Sequence, residues 1–222
     1  QGRSAETAEL LRMHRGYTSV LVSSNTFRED FARTFDVDPS IVIEAALPRV
    51  DLLTDPAIRQ RRRDAITSEF PSLANGETVV YCPTFRSMPT TRDQIAVCNL
   101  ATAIINAGYN FVYKPHPVSK LKIDDPRIVQ DRSGRVDMLF AADYVITDYS
   151  TVMYEAGLME IPVFLYGYDW NDYRQKRSFG IDIPNDVPAT MSDDPDRIVE
   201  AIRNKEFDPD AFKAFVNHFV RL

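Results

Sequence analysis

Residues 76–117 read GETVVYCPTFRSMPTTRDQIAVCNLATAIINAGYNFVYKPHP, and this stretch decides the fold. Thr78–Cys82 (TVVYC) and Asn110–Tyr113 (NFVY) are short, unbroken apolar runs rich in β-branched and aromatic residues. Strands with one face in water alternate apolar and polar residues, whereas strands covered on both faces do not. Between the two runs, Asp93–Asn106 has the length of a helix. The same alternation continues downstream. Strands are expected at Arg127–Gln130, Tyr144–Thr147 (YVIT) and Pro162–Tyr166 (PVFLY), and helices at Val136–Ala141, Val152–Met159, Pro195–Asn204 and Pro209–Phe219. Strands alternating with helices predict an α/β fold built on a doubly wound parallel sheet.

Upstream of Glu77 the elements are shorter. Tyr17–Ser23 (YTSVLVS) and Ile41–Ala46 (IVIEAA) read as strands, the second closed by Leu47-Pro48-Arg49. Between them Phe27, Phe31 and Phe35 recur every fourth residue, which is one apolar face of a helix. Asp55–Phe70 reads as a charged helix whose Arg59, Arg61, Arg62 and Arg63 form a solvated face. The expected organisation is residues 1–54 as the end of an amino-terminal half, 55–75 as a linker helix, and 76–222 as the main α/β domain.

Composition removes several function classes. The 222 residues carry 26 Lys+Arg against 32 Asp+Glu, a net charge of −6, so the chain is not expected to bind nucleic acid. No apolar stretch approaches the roughly 20 residues of a membrane helix, and Gln1–Arg15 is mostly polar, unlike a signal peptide. Cys82 and Cys98 form no CxxC pair, and His14, His116 and His218 are scattered, so neither a metal nor a cofactor is predicted. The isolated glycines build no GxGxxG, Walker or GxSxG motif. Any phosphate must be held by another route.

In an open parallel sheet, ligands bind beyond the carboxyl ends of the strands. Pro83-Thr84-Phe85-Arg86 follows TVVYC, and Lys114-Pro115-His116-Pro117 follows NFVY. Asp148-Tyr149-Ser150-Thr151 follows YVIT, and Gly167-Tyr168-Asp169 follows PVFLY. Taken singly, each has an ordinary explanation: a surface arginine, a lysine paired to an acid, a structural histidine, a plain helix cap, an exposed carboxylate at Glu155. Together Arg86, Lys114, His116, Ser150, Thr151 and Asp169 bring cations, an imidazole and hydroxyls to one rim, which suits a phosphorylated ligand. Glu155, one turn into the helix after Thr151, is placed to meet a ribose hydroxyl.

The motifs Tyr81-Cys-Pro-Thr-Phe-Arg86, Lys114-Pro-His-Pro117, Thr147-Asp-Tyr-Ser-Thr151 and Leu165-Tyr-Gly-Tyr-Asp169 follow in a familiar order. With Val22-Ser-Ser24 and Pro48-Arg49-Val-Asp51, they make the chain resemble the CDP-glycerol glycerophosphotransferases, the teichoic-acid primases and polymerases, which also resemble capsule polymerases. The resemblance implies two Rossmann-like halves of the GT-B type, with this chain mainly the carboxyl-terminal, nucleotide-binding half. It implies CDP-glycerol or a related nucleotide as donor, a polymer or lipid-linked acceptor, and cytoplasmic location with peripheral contact at the inner face of the membrane. His116 becomes the catalytic residue, while Arg86, Lys114, Asp148, Ser150, Thr151, Glu155 and Asp169 form the substrate-binding set. The sequence departs from the pattern where Ala46 replaces a usual Gly and where Ser178-Phe-Gly-Ile-Asp182 replaces Gly-Phe-Tyr-Phe-Asp. The family's Trp-His-Gly acceptor motif, and its Asp-Gly segment after the last helix, have no counterpart in these residues. A GT-B glycosyltransferase or sugar-phosphate transferase with another nucleotide donor, and a non-catalytic nucleotide-binding module, are the competing readings.

Overall fold

All five residues of Thr78–Cys82 are buried, which puts this strand in the middle of a sheet with both faces covered. The computed structural model describes residues 14–46, 48–131, 137–176 and 180–221. Strands in chain order are β1 (Val20–Val22), β2 (Val42–Glu44), β3 (Thr78–Cys82), β4 (Asn110–Tyr113), β5 (Val129–Gln130), β6 (Tyr144–Thr147), β7 (Val163–Tyr166) and β8 (Met191–Ser192). Helices are α1 (Arg28–Phe35), α2 (Pro48–Thr54), α3 (Pro56–Glu69), α4 (Thr91–Asn106), α5 (Val152–Leu158), α6 (Trp170–Lys176), α7 (Ile183–Asp186), α8 (Pro195–Arg203) and α9 (Pro209–Phe219).

The main sheet has six parallel strands in the order β5-β4-β3-β6-β7-β8, as expected for a doubly wound fold. From β3 the chain builds outward through β4 and β5, then returns to β6 and builds the other way. The reversal opens a crevice beyond the carboxyl ends of β3 and β6. Strand pleating divides the core between the faces. Val80, Cys82, Val112, Val145, Val163 and Leu165 pack with Ile66, Met153, Phe212 and Val216. Val79, Tyr81, Phe111, Tyr113, Ile146 and Phe164 pack on the other face with Val97, Leu100 and Ile104 of α4 and Ile198 and Ile202 of α8. The free thiol of Cys82 lies within this core, and burial pushes its pKa up to about 12.

Helix starts follow local chemistry. Asp55, Asp194 and Asp208 accept backbone N–H bonds just ahead of Pro56, Pro195 and Pro209, and Thr90 and Asp93 form a reciprocal capping box for α4. Pro48 plays the same part for α2, so Pro48-Arg49 opens a helix where the sequence suggested only the close of a strand. Four further differences stand out. Asp137–Ala141 is a 3₁₀ turn, with Val136 outside the described residues, and the strand expected from Arg127 is confined to Val129–Gln130. Trp170–Lys176, for which no element was expected, forms α6, and β8 adds an edge strand too short to show in the pattern.

The small parallel sheet pairs β1 with β2 in the register Leu21↔Ile43 and has its own core of Val20, Val22, Ala32 and Val42. The Ser24 hydroxyl donates to the His218 carbonyl (2.9 Å), and Arg221 N–H donates to the Ser23 carbonyl (2.8 Å). Helix α3 is fixed to the large sheet. Arg63 Nη2 bonds Asp143 Oδ1 (2.9 Å), Asp143 Oδ2 accepts the Thr78 N–H (2.8 Å), and Arg59 Nη1 donates to the Met159 carbonyl (2.6 Å). Arg59 and Arg63 are therefore tethers, unlike the solvated face expected.

Helices α5 and α9 cross at Gly157, where a Cβ would lie 2.5 Å from Val216 Cγ2 and 2.8 Å from Phe212 Cε1. Gly157→Ala overpacks this crossing and should cost roughly 1–3 kcal/mol, lowering the melting temperature by several degrees. Gly180→Ala, with open space around the new methyl, is the control that should leave thermal denaturation nearly unchanged.

Candidate active site

The crevice between β3 and β6 is closed at its base by Thr147 Oγ1 donating to the Cys82 carbonyl (2.7 Å). One residue further on, the Asp148 side chain is fully buried. Its Oδ1 accepts the Thr84 N–H (2.8 Å), the Thr84 hydroxyl and the Tyr149 N–H, while Oδ2 takes Arg86 Nη2 (3.1 Å). Arg86 also bonds Asp169 Oδ2 through Nη2 (2.9 Å) and Nε (3.2 Å), and donates from Nη1 to the Thr84 carbonyl (3.1 Å). Its guanidinium lies 4.4 Å from the Tyr173 ring centroid, and Tyr149 Oη donates to Asp169 Oδ1 (3.0 Å). The loops after β3, β6 and β7 thus meet at a single cation.

Burial alone would lower the Arg86 pKa, but Asp148 and Asp169 outweigh it and hold the guanidinium charged. Complete burial raises the Asp148 carboxyl, and Arg86 with the Thr84 and Tyr149 donors pulls it back. Arg86, Asp148 and Asp169 therefore come together as the strand-end rule expects, yet they spend their polar atoms on one another. Lys114 is similar: Nζ pairs with Asp131 Oδ2 at 3.0 Å, deep in the fold.

The exposed part of the rim is different. His116 sits in solvent between its prolines, with its ring 5.0 Å from that of Phe85. The Val118 N–H approaches His116 Nδ1 (3.4 Å), which leaves the proton of a neutral ring on Nε2. Ser150 Oγ accepts the Val152 N–H (3.4 Å), whereas the exposed Thr151 makes no capping bond to α5. Glu155 Oε1 pairs with Arg49 Nη2 at 2.9 Å. Burial raises the Glu155 carboxyl, opposed by Arg49 and then Lys114. Arg49, Thr151 and Glu155 share a cavity of about 320 Å³ whose apolar wall includes Phe27, Leu53 and Leu158. A second cavity of about 20 Å³ lies beneath Phe85 and His116, bordered by Tyr81, whose buried hydroxyl has no protein partner. That volume accommodates one water.

Thr84, Tyr149, Tyr173 and Arg49 are the participants that sequence reasoning did not assign to the site. Thr84, Tyr149 and Arg49 stand inside quoted motifs, which was their only signal. Ser178 and Phe179, in the departure noted above, lie outside the described residues. Among the described residues, no three His, Cys, Asp or Glu side chains group to hold a metal ion, and no helix is long and apolar enough to cross a membrane.

A family model described as CDP-glycerol:poly(glycerophosphate) glycerophosphotransferase matches residues 1–222. The chain belongs to this family. It is 29% identical over 217 residues to a teichoic acid poly(ribitol-phosphate) polymerase of Bacillus spizizenii, covering 93% of this chain and 35% of that protein. It is 25% identical to a teichoic acid glycerol-phosphate primase of Bacillus subtilis, covering 86% of this chain and 50% of the primase. The wall teichoic acid polymerase TagF superposes with a TM-score of 0.79 at 21% identity, over 97% of this chain and 56% of the other. This glycerophosphotransferase-family chain therefore spans from 35% to 56% of the length of these three relatives, and shares the α/β fold of TagF over nearly all its length.

The clamp predicts a pH signature. Arg86→Ala leaves Asp148 as an unpaired buried carboxylate and should cost about 3–5 kcal/mol. Its folded-state pKa then rises further above the unfolded value. The deficit against the parent is greatest at neutral pH and above, and shrinks as acidification protonates Asp148. Urea denaturation of both proteins across the acid range measures this; a deficit that grows on acidification would refute the clamp.

Proposed function

We propose that this chain forms the donor-binding part of a transferase that moves glycerol phosphate, or a related polyol phosphate, from a CDP-linked donor to a hydroxyl acceptor in teichoic-acid-like polymer synthesis. Family membership across residues 1–222 carries this reading, and the exposed His116 imidazole at the strand-end rim supports it. The acceptor hydroxyl oxygen attacks the polyol-bearing phosphorus and gives up its proton to a base on the acceptor side, the bond from that phosphorus to the bridging oxygen breaks, and CMP leaves. His116 Nε2–H donates to the departing phosphate, while Ser150 and Thr151 offer hydroxyls to the diphosphate and Glu155 accepts from the ribose. Asp148, Arg86 and Asp169 hold the three loops in register, and Lys114 contributes its field from the Asp131 pair. The acceptor is a growing polymer or lipid-linked chain, handled at the cytoplasmic face of the membrane.

Relatives' names include both glycerol phosphate and ribitol phosphate, so the donor panel pairs CDP-glycerol with CDP-ribitol. A nucleotide that binds only the folded chain at 100 times its dissociation constant should add about 2.7 kcal/mol of stability. CDP is expected to raise the melting temperature where UDP and GDP do not; the opposite pattern would remove the cytidine assignment. Replacing His116 by Ala should leave folding intact and cut transfer by ~10²–10³ in an enzyme carrying both halves. Unchanged kinetics would return His116 to a structural role. These 222 residues alone should bind donor with little or no transfer, because orienting the acceptor hydroxyl is a large part of the barrier reduction. The assay is CMP release from radiolabelled CDP-glycerol with a soluble acceptor, and sustained polymer labelling by this chain would contradict the assignment.

A further inference from the structure

The donor's diphosphate needs cationic donors, and the two obvious ones are already committed. The Arg86 side chain is 16% exposed, with each of its three nitrogens already bonded to Asp148, Asp169 or Thr84; Lys114 is 10% exposed and held by Asp131. Arg49 differs, with a side chain 49% exposed at the mouth of the cavity of about 320 Å³ that it shares with Thr151 and Glu155. It stands at the start of α2, outside the six-stranded sheet, and reaches across to α5 to pair with Glu155. We propose that Arg49 is a donor-binding residue, whose guanidinium contacts the diphosphate of the nucleotide while holding the Glu155 carboxylate for the ribose. This rests on the donor-site reading above.

The chemistry is that of a forked cation. A guanidinium presents five N–H donors, and the Glu155 bond formed by Nη2 leaves others for phosphate oxygens. The partner carboxylate benefits too. Glu155 is largely buried, and burial works against its charge, so the neighbouring cation keeps it an acceptor for hydroxyl protons. The apolar wall formed by Leu53 and Leu158 lowers the local dielectric, which strengthens an arginine–phosphate contact relative to one in open water. An ordinary tie between α2 and α5 would show none of this selectivity, since a half-exposed ion pair adds little to stability.

Calorimetric titration of the 222-residue chain with cytidine, CMP and CDP tests the assignment. Arg49→Ala should weaken CDP roughly tenfold or more beyond the loss it causes for cytidine through the released Glu155, the selectivity of a lost charge-assisted phosphate contact. Arg49→Lys should fall between parent and Ala, because the charge returns without the fork. Glu155→Gln should weaken cytidine and CDP by similar factors, as expected of a ribose contact. Thermal melts of each variant confirm folding. Equal weakening of cytidine and CDP by Arg49→Ala would show that Arg49 acts only through Glu155, and unchanged CDP affinity would show a simple tether. Either result overturns the proposal while the donor site stands. A parent chain that binds no CDP overturns the donor-site reading, and this inference with it.

Discussion

One carboxylate, wholly removed from water at the end of the central strand pair, organises the functional edge of this molecule. An ionised Asp148 in that position is tolerable only with a cation and several donors around it, and Thr84, Tyr149 and Arg86 supply them. Satisfying the charge fixes the backbone turn after β3 and the entry into α5. Arg86 then needs a second anion to balance it from the far side, and Asp169 brings in the loop after β7. The electrostatic demand of one buried group thus sets the relative positions of three segments that are far apart in sequence.

Much of the scaffold was legible because burial on both faces leaves a plain signature. Asn110–Tyr113, Tyr144–Thr147 and Pro209–Phe219 were read at the bounds the structure has, from unbroken apolar runs in the strands and from a proline opening the helix. Two-residue β8 carries too few side chains to make a pattern, and the seven residues of α6 span too few turns to show a helical period. The rim itself followed from the strand-end rule. What could not be read was how the rim divides its charges. Arg86 meets Asp148 from 62 residues away and Asp169 from 83, and no local pattern announces which acid a given cation will choose. The same limit applies to Arg49 and Glu155, which belong to different parts of the fold.

This division separates two kinds of polar residue that a motif lists side by side. Arg86, Asp148, Asp169 and Lys114 are deep, mutually neutralised and geometrically rigid. His116 and Thr151 are exposed, and Arg49 with Glu155 faces a cavity. Rigidity under the rim keeps the exposed groups in place without their having to pack against anything themselves. The site therefore offers accessible side chains on a base whose charges are already paired.

The seam between the first strand and the last helix has a consequence for how the chain is made. Ser24 and Ser23 are held by carbonyl and amide groups of His218 and Arg221, almost two hundred residues later. Synthesis runs from the amino terminus, so β1 and β2 emerge long before their anchor exists. A two-stranded parallel sheet with so small a core is a poor autonomous unit. The large sheet, by contrast, can begin to assemble once β3, β4 and β6 have left the ribosome. Strands β1 and β2 are thus made well before the segment that anchors them and settle only after it, and in that interval they are the ones that require shielding from other chains.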